Sequence, residues 1–233
     1  MGIFQTLQEW VESSVDAGGA FFDRITKAIS GLTDPKARRQ AAFSIAMIAL
    51  SAKMAKADGI VTLDEIHAFR DLFEIPQAER TNVARLFDLA KQDTAGFEAY
   101  AARIARLYDE DLQTLEDIMD GLFHIAKADG VLHEGERAFL QNVAEIFGFD
   151  SSAYEAIELR HVDLGKADPY QVLGVSPDMD LQDIKKAYRT KVSECHPDRM
   201  IARGVPPEFI AIANDRMAAI NLAWEQIGRM RRS

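Results

Sequence analysis

The chain reads DPYQVLGVSPDMDLQDIKKAYRTKVSECHPDR at residues 168–199, near its carboxyl end. Asp168 is a good N-cap and Pro169 suits a first helical turn, so a short helix is predicted to start there. The same pattern ends this helix near Gly174. Asp180 can then cap a second helix, predicted over about Leu181 to Glu194.

The second helix ends in a polar loop. The residues predicted to form its apolar stripe are Leu181, Ile184, Tyr188 and Val192. Pro197 cannot extend the helix and pushes the residue before it toward an extended conformation, so His196 and Asp198 are displayed in a loop. A third helix is predicted at about residues 207–229, antiparallel to the second. Its inward residues are Phe209, Ile212, Met217, Ile220 and Trp224.

This series of motifs resembles the J domain of the DnaJ (Hsp40) family. The similar features are the start D-Y-Y-x-x-L-G-V, the helix K-K-A-Y-R and the loop H-P-D. Residues 217–227, MAAINLAWEQI, resemble the third-helix signature. The resemblance is specific because several motifs occur in the right order at the right spacing. The H-P-D sequence alone would occur by chance. The resemblance implies a co-chaperone that stimulates the ATPase of an Hsp70.

The resemblance also implies which residues meet the Hsp70. The loop that triggers ATP hydrolysis is His196, Pro197 and Asp198. The basic helix face that meets an acidic Hsp70 surface is Lys185, Lys186 and Arg189. Two positions depart from the family pattern: Cys195 stands where a bulky residue is usual, and Thr190 interrupts the basic face.

The middle of the chain contains an internal repeat. The string AKADGI at residues 55–60 returns as AKADGV at residues 126–131, and Glu65 and Glu136 follow at equivalent places. Each copy predicts an apolar helix, a turn at Asp-Gly and a second helix. Two such pairs facing each other would form a bundle with one shared core. Because helix formers and helical apolar spacing dominate the chain, the predicted fold class is all-α: a helical bundle followed by a small helical hairpin.

The repeat resembles the TerB-like domain of tellurite-resistance proteins, over about residues 40–160. A TerB-like block before a C-terminal J domain is the arrangement of the DjlA-like co-chaperones. Membrane-anchored members begin with a transmembrane segment, and no such apolar window occurs here, so we expect a soluble relative. The predicted domains are an amphipathic segment at 1–35, a TerB-like domain at 36–160 and a J domain at 167–233.

The carboxylates of the repeat allow two interpretations. Asp58, Glu65, Asp129 and Glu136 could converge across the pseudo-symmetry and bind a hard divalent cation such as calcium. Alternatively, Glu65 belongs to a capping box that satisfies a backbone N–H at a helix start, and Asp-Gly is an ordinary turn pair. The second interpretation is favoured, so no cofactor is expected.

Composition argues against several function classes. The net charge of −10 disfavours nucleic acid as a partner, because phosphate binding needs a basic surface. The single cysteine, Cys195, allows no intramolecular disulfide, and no secretory signal is found, so a cytoplasmic location is expected. We find no nucleophile–base pair, phosphate-binding glycine loop or HExxH site, so we do not expect an enzyme.

Two hypotheses about function follow. The first is a co-chaperone of a DnaK-type Hsp70, in which the TerB-like block selects clients, a ligand or a location. The second is a TerB-like stress-sensing or metal-sensing module with a secondary J domain. The amphipathic residues 1–30 carry few basic side chains, which favours packing within the protein or a homodimer over membrane binding.

Overall fold

The computed structural model describes residues 27, 29–58, 67–69, 72–73, 75, 77, 80–92, 96–108, 111–161 and 167–232. All regular secondary structure in these residues is helical, which confirms the predicted all-α fold. No helix in these ranges is long and apolar enough to cross a membrane. The predicted dimer contact through residues 1–30 lies almost wholly outside them.

The first part of the chain forms a helical bundle around one central helix. The helices are α1 (Pro35–Asp58), α2 (Arg80–Gln92), α3 (Phe97–Leu107), α4 (Leu112–Ala126), α5 (Glu134–Ile146) and α6 (Ser151–His161). Every residue of α1 from 41 to 55 is buried, and the helix packs against α2, α3, α4 and α5. A helix that is apolar on all sides needs such a central position. We call the buried apolar side chains of this bundle the large core.

The second copy of the repeat folds as its sequence predicts. Helix α4 leads into a turn at residues 127–133, and α5 follows. Gly130 has a φ of 88°, a left-handed conformation that glycine adopts without strain. In the first copy, α1 ends at Asp58, and the turn that would follow lies outside the described residues.

The carboxyl-terminal part adds α7 (Pro169–Leu173), α8 (Leu181–Glu194), α9 (Pro197–Arg203) and α10 (Ile210–Met230), with a 3-10 turn at Pro207–Phe209. The predicted bounds of α7 and α8 are confirmed. Asp168 accepts a hydrogen bond from the Tyr170 N–H at 3.0 Å, which satisfies a free donor at the start of α7. Asp180 holds the N-cap position of α8 without a side-chain hydrogen bond.

Helices α8 and α10 form the predicted antiparallel pair. The rings of Tyr188 and Trp224 stack with centroids 5.1 Å apart, and the Tyr188 hydroxyl donates to Asn221 Oδ1 at 2.9 Å. A second cluster, which we call the small core, fills the space between α7, α8 and α10: Val172, Leu173, Ile184, Cys195, Ile220, Ala223 and Ile227. The prediction was wrong for Leu181, which is 45% exposed, because α10 ends opposite the start of α8.

Residues on both sides of the connector between residues 161 and 167 pack in one core. Five apolar residues from the carboxyl-terminal part belong to the large core: Met200, Val205, Phe209, Ile212 and Ala213. The Phe209 ring meets Phe43 of α1 edge-on, with centroids 4.7 Å apart. The predicted domain boundaries thus divide the sequence but not the packing, since the last helix contributes to both cores.

Candidate partner-binding site

The histidine–proline–aspartate sequence lies at the start of a short helix. His196 occupies the N-cap of α9 with φ −64° and ψ 131°, the extended conformation expected before a proline. Its Nδ1 accepts a hydrogen bond from the Asp198 N–H at 3.2 Å. The prediction of an irregular loop was wrong at this point, because Pro197 suits a first helical turn and a helix continues from it. We call His196, Pro197 and Asp198 the tip.

Both polar side chains of the tip reach solvent. The side chain of His196 is 54% exposed and that of Asp198 is 89% exposed, with His196 Nδ1 and Asp198 Oδ2 3.8 Å apart. Cys195, directly before the tip, is fully buried in the small core, and its thiol donates to the Val192 carbonyl at 3.5 Å. The small cysteine thus fills a core position directly before the exposed tip.

A cationic face lies next to the tip on α8. Lys185, Lys186 and Arg189 are all exposed, as predicted for the residues of this face. They line an open cleft of about 660 Å³ together with Arg199 of α9 and Gln113 of α4. Sequence reasoning missed the last two, because neither lies within the motif that defines the face. The cleft therefore lies between the cationic face and α4 of the bundle.

Lys191 does not extend the cationic face. Burial lowers the pKa of its ammonium group, and Glu116 of α4 acts in the opposite direction. Thr190, the noted departure from the family pattern, is exposed and lines the cleft. The exposed cations of α8 therefore end at Arg189.

A buried ion network lies behind the tip, between the bundle and the carboxyl-terminal helices. We define the network as Glu116, Asp117, Asp120, Arg160, His161, Arg203 and Arg216. Arg203 Nη2 lies 2.6 Å from Asp117 Oδ2, and Arg216 Nη1 lies 3.0 Å from Asp117 Oδ1. Arg216 also reaches Glu116 at 2.8 Å and Asp120 at 3.2 Å.

The network continues to α6. Arg160 Nη2 lies 2.7 Å from Glu116 Oε1, and His161 Nε2 lies 2.8 Å from Asp120 Oδ1. Three carboxylates thus face three guanidinium groups and one imidazole. Buried charges of one sign need such partners, because transfer of an unpaired ion from water is very costly.

The pKa values of the carboxyl groups follow from this arrangement. Burial alone would raise the pKa of Glu116, but Arg216 and Arg160 lower it to about 2. Burial likewise opposes ionisation of Asp120, yet Arg160 and Arg216 hold its pKa well below the usual range. At Asp117 burial prevails over Arg216 and Arg203, and it raises the pKa to about 6.

The sequence carried little sign of this network. Residues 116, 117 and 120 lie on the sides of α4 away from its apolar stripe at Leu115, Ile118 and Leu122. Acidic residues in that position are typical of a solvated surface. They are largely buried here because α6, α9 and α10 cover this side of α4, which only the tertiary structure shows.

The carboxylates of the repeat have local partners in the second copy. Asp129 Oδ1 accepts a backbone N–H of its own turn at 2.9 Å, and its other oxygen lies 3.1 Å from His133 Nε2. Glu136 accepts the His133 N–H at 3.0 Å, the contact of a capping box. Glu65 and the side chain of Asp58 lie outside the described residues. The described part holds no group of three or more acidic, histidine or cysteine side chains suited to a metal ion, and a cation site across the two copies stays a prediction.

Comparison with known proteins agrees with this arrangement. Two family descriptions match: "Tellurite resistance protein TerB" over residues 44–159 and "DnaJ domain" over residues 168–229. The chain is 30% identical to the co-chaperone protein DjlA of Photobacterium profundum, over 81% of this chain and 78% of the relative. It is 27% identical to DjlA of Escherichia coli strain K12, over 90% and 92% of the two chains.

A third relative, DjlA of Coxiella burnetii, is 29% identical over 76% of this chain and 73% of its own. No solved structure matches the chain. The order of the two matched domains is the order expected from the repeat and the tip. The chain belongs to the DjlA family of co-chaperones, with a TerB domain followed by a DnaJ domain.

Proposed function

We propose that this co-chaperone stimulates the ATPase of a DnaK-type Hsp70 through the tip. One observation carries the proposal: His196 and Asp198 are both exposed, at the end of two packed helices and beside an exposed cationic face. The chain supplies recognition, and the partner supplies the ATP chemistry.

The two parts of the site have different physical roles. Lys185, Lys186 and Arg189 are long, exposed cations, and such groups attract and orient an acidic partner more than they hold it. The Asp198 carboxylate, displayed in the first turn of α9, is able to accept a charge-assisted hydrogen bond from a partner arginine. The complex is expected to be transient and sensitive to salt.

The bundle has a second role in this proposal. We propose that the TerB domain gives the co-chaperone its clients, a ligand or a location, and that the co-chaperone acts in the cytoplasm. Such a role requires that the bundle and the tip keep a fixed relation to each other. Residues of both parts pack in the large core, which supports this proposal.

The test is the steady-state ATPase of the Hsp70 of the same organism, with and without the purified protein. The wild type should raise the rate severalfold. His196→Gln should abolish the increase and lower the melting temperature only slightly, through loss of the N-cap acceptor of α9. His67→Gln changes an exposed histidine of the first part of the chain and serves as the control. The absence of stimulation by the wild type with every Hsp70 of that organism would refute the proposal.

The cationic face is tested separately. Lys186→Glu together with Arg189→Glu should raise the concentration needed for half-maximal stimulation, and high salt should narrow the difference from wild type. Arg85→Glu together with Arg106→Glu, at exposed positions of α2 and α3, is the matched double charge reversal and should have no effect.

A further inference from the structure

One guanidinium group links the residues before and after the tip in sequence to each other and to the bundle. Arg203, the last residue of α9, donates through Nη1 to the carbonyl of Glu194, the last residue of α8, at 3.1 Å. The same nitrogen lies 3.1 Å from Gln113 Oε1, and Nη2 donates to Asp117 Oδ2 at 2.6 Å. The segment from 194 to 203, which contains the tip, is therefore closed by one side chain and fastened to α4.

Helix α9 has further contacts with the bundle on the same side. Met200 and Val205 are buried in the large core. Gly204, directly after α9, has a φ of 96°, and a Cβ atom there would clash with the Arg39 Cβ in α1. Arg39 in turn donates to the Ala202 carbonyl at 3.4 Å. The end of α9 thus lies directly against α1, where only glycine fits.

The opposite side of α9 is exposed in the part of the chain that the structure describes. His196 and Asp198 are exposed while Arg203 and Met200 are turned toward the bundle. Asp117 itself has no exposed side-chain surface, so a partner bound at the tip cannot touch it. Any effect of Asp117 on partner binding must therefore pass through Arg203 or Arg216.

We propose that Asp117 and Gln113 of the TerB domain are positioning residues for the tip and act through Arg203. The inference rests on the proposed function, since it states how the bundle contributes to stimulation of the Hsp70. A tip held in the binding conformation loses little conformational freedom when the partner docks. If the tip samples other conformations, its apparent affinity falls in proportion to the competent fraction.

The experiment measures how Hsp70 stimulation depends on co-chaperone concentration, with the full chain. Asp117→Asn should raise the half-saturating concentration about tenfold, and Gln113→Ala about threefold, with the maximal rate unchanged. Gln141→Ala, an exposed glutamine on α5, is the matched control and should leave the curve unchanged. Gln113→Glu keeps an acceptor for Arg203 but adds a negative charge to the cleft beside the cationic face, so it is compared by hydrogen exchange of the free protein, where residues 194–205 should keep their wild-type protection.

Hydrogen exchange of the free protein supplies a readout that global destabilisation would not produce. In Asp117→Asn and Gln113→Ala, amides of residues 194–205 should exchange faster, while those of α1 and α5 keep their wild-type protection. The assay is run at a temperature where each variant is fully folded by circular dichroism. Gln113→Ala keeps the carboxylates that bind Arg216, so it remains informative if Asp117→Asn does not fold.

The outcomes separate the two proposals. If the wild type stimulates the ATPase and both variants match it, or if exchange at 194–205 is unchanged, the positioning role is wrong and the proposed function stands. If the wild type does not stimulate, or His196→Gln is as active as the wild type, the proposed function fails and the inference fails with it.

Discussion

The two halves of α10 belong to different parts of the molecule. In the amino-terminal half, Ile212 and Ala213 are buried in the large core, and Arg216 lies in the ion network. In the carboxyl-terminal half, Ile220 and Ile227 are buried in the small core against α7 and α8. A single helix therefore connects the packing of the bundle to the packing of the hairpin.

The difference shows that the DnaJ domain of this chain, although continuous in sequence, does not pack around its small core alone: part of it packs in the large core of the bundle. Its small core has few buried apolar side chains, and small domains gain limited stability from such cores. The bundle supplies the missing burial through Phe209 and Ile212 and supplies the acidic partners of Arg203 and Arg216. The carboxyl-terminal segment expressed alone would expose these groups to water.

The largest effect is expected where the two halves of α10 meet. Arg216→Met should lower the free energy of unfolding by about 3–5 kcal/mol, because it leaves three buried carboxylates with too few cations. Guanidinium denaturation followed by circular dichroism measures the loss. Arg229→Met, on the exposed end of the same helix, should change stability by less than about 0.5 kcal/mol. Equal losses in the two variants would contradict the role of the network.

The same substitution in each half compares the two cores directly. Ile212→Ala and Ile227→Ala should each cost about 2–4 kcal/mol, since each removes buried methyl groups from a packed site. The difference should appear in hydrogen exchange. Ile212→Ala should lower protection in α1, whereas Ile227→Ala should lower it in α7 and α8 and leave α1 as in the wild type. Identical exchange patterns would indicate a single cooperative core.

Protonation of Glu116 in acid should weaken the junction between the halves. Because the folded-state pKa of Glu116 is lowered from 4.5 to about 2, its contribution to stability is complete above pH 4.5 and is lost as the pH falls toward 2. The stability difference between wild type and Glu116→Gln should be about 2–3 kcal/mol at pH 6 and should shrink over that window. Chemical denaturation at a series of pH values measures it. A difference that does not vary with pH would rule out this titration.

The smallest effect is expected within the hairpin. Tyr188→Phe removes the hydroxyl that donates to Asn221 and keeps the ring stacked on Trp224, so it should cost about 0.5–1.5 kcal/mol. Tyr170→Phe removes a hydroxyl that lies 3.0 Å from the Arg231 Nε in an exposed pair, and it should cost less. Urea denaturation monitored by tryptophan fluorescence compares them. The reverse order of the two losses would be contrary to the prediction.

Local structure was the part most open to prediction from sequence. Asp168 and Gly174 delimit α7, and Pro197 ends α8 at the predicted place, because caps and breakers act within a few residues. The prediction erred at α9, where the same proline both ends one helix and starts the next. Exposure of the tip and of the cationic face was also predicted, since it follows from polar side chains beside a helix end.

By itself, the amino-acid sequence determined the all-helical class, the ends of α7 and α8, the repeat and the order of the two domains, all of which depend on short-range spacing. Only the tertiary structure decided that Phe209 and Ile212 join the large core and that Asp117 binds Arg203 and Arg216. The physical reason is that periodicity tells which side of a helix is apolar but not which distant helix will cover it. A carboxylate on the polar side of α4 is a surface group until α9 and α10 lie against it, and then it becomes a buried partner for arginine.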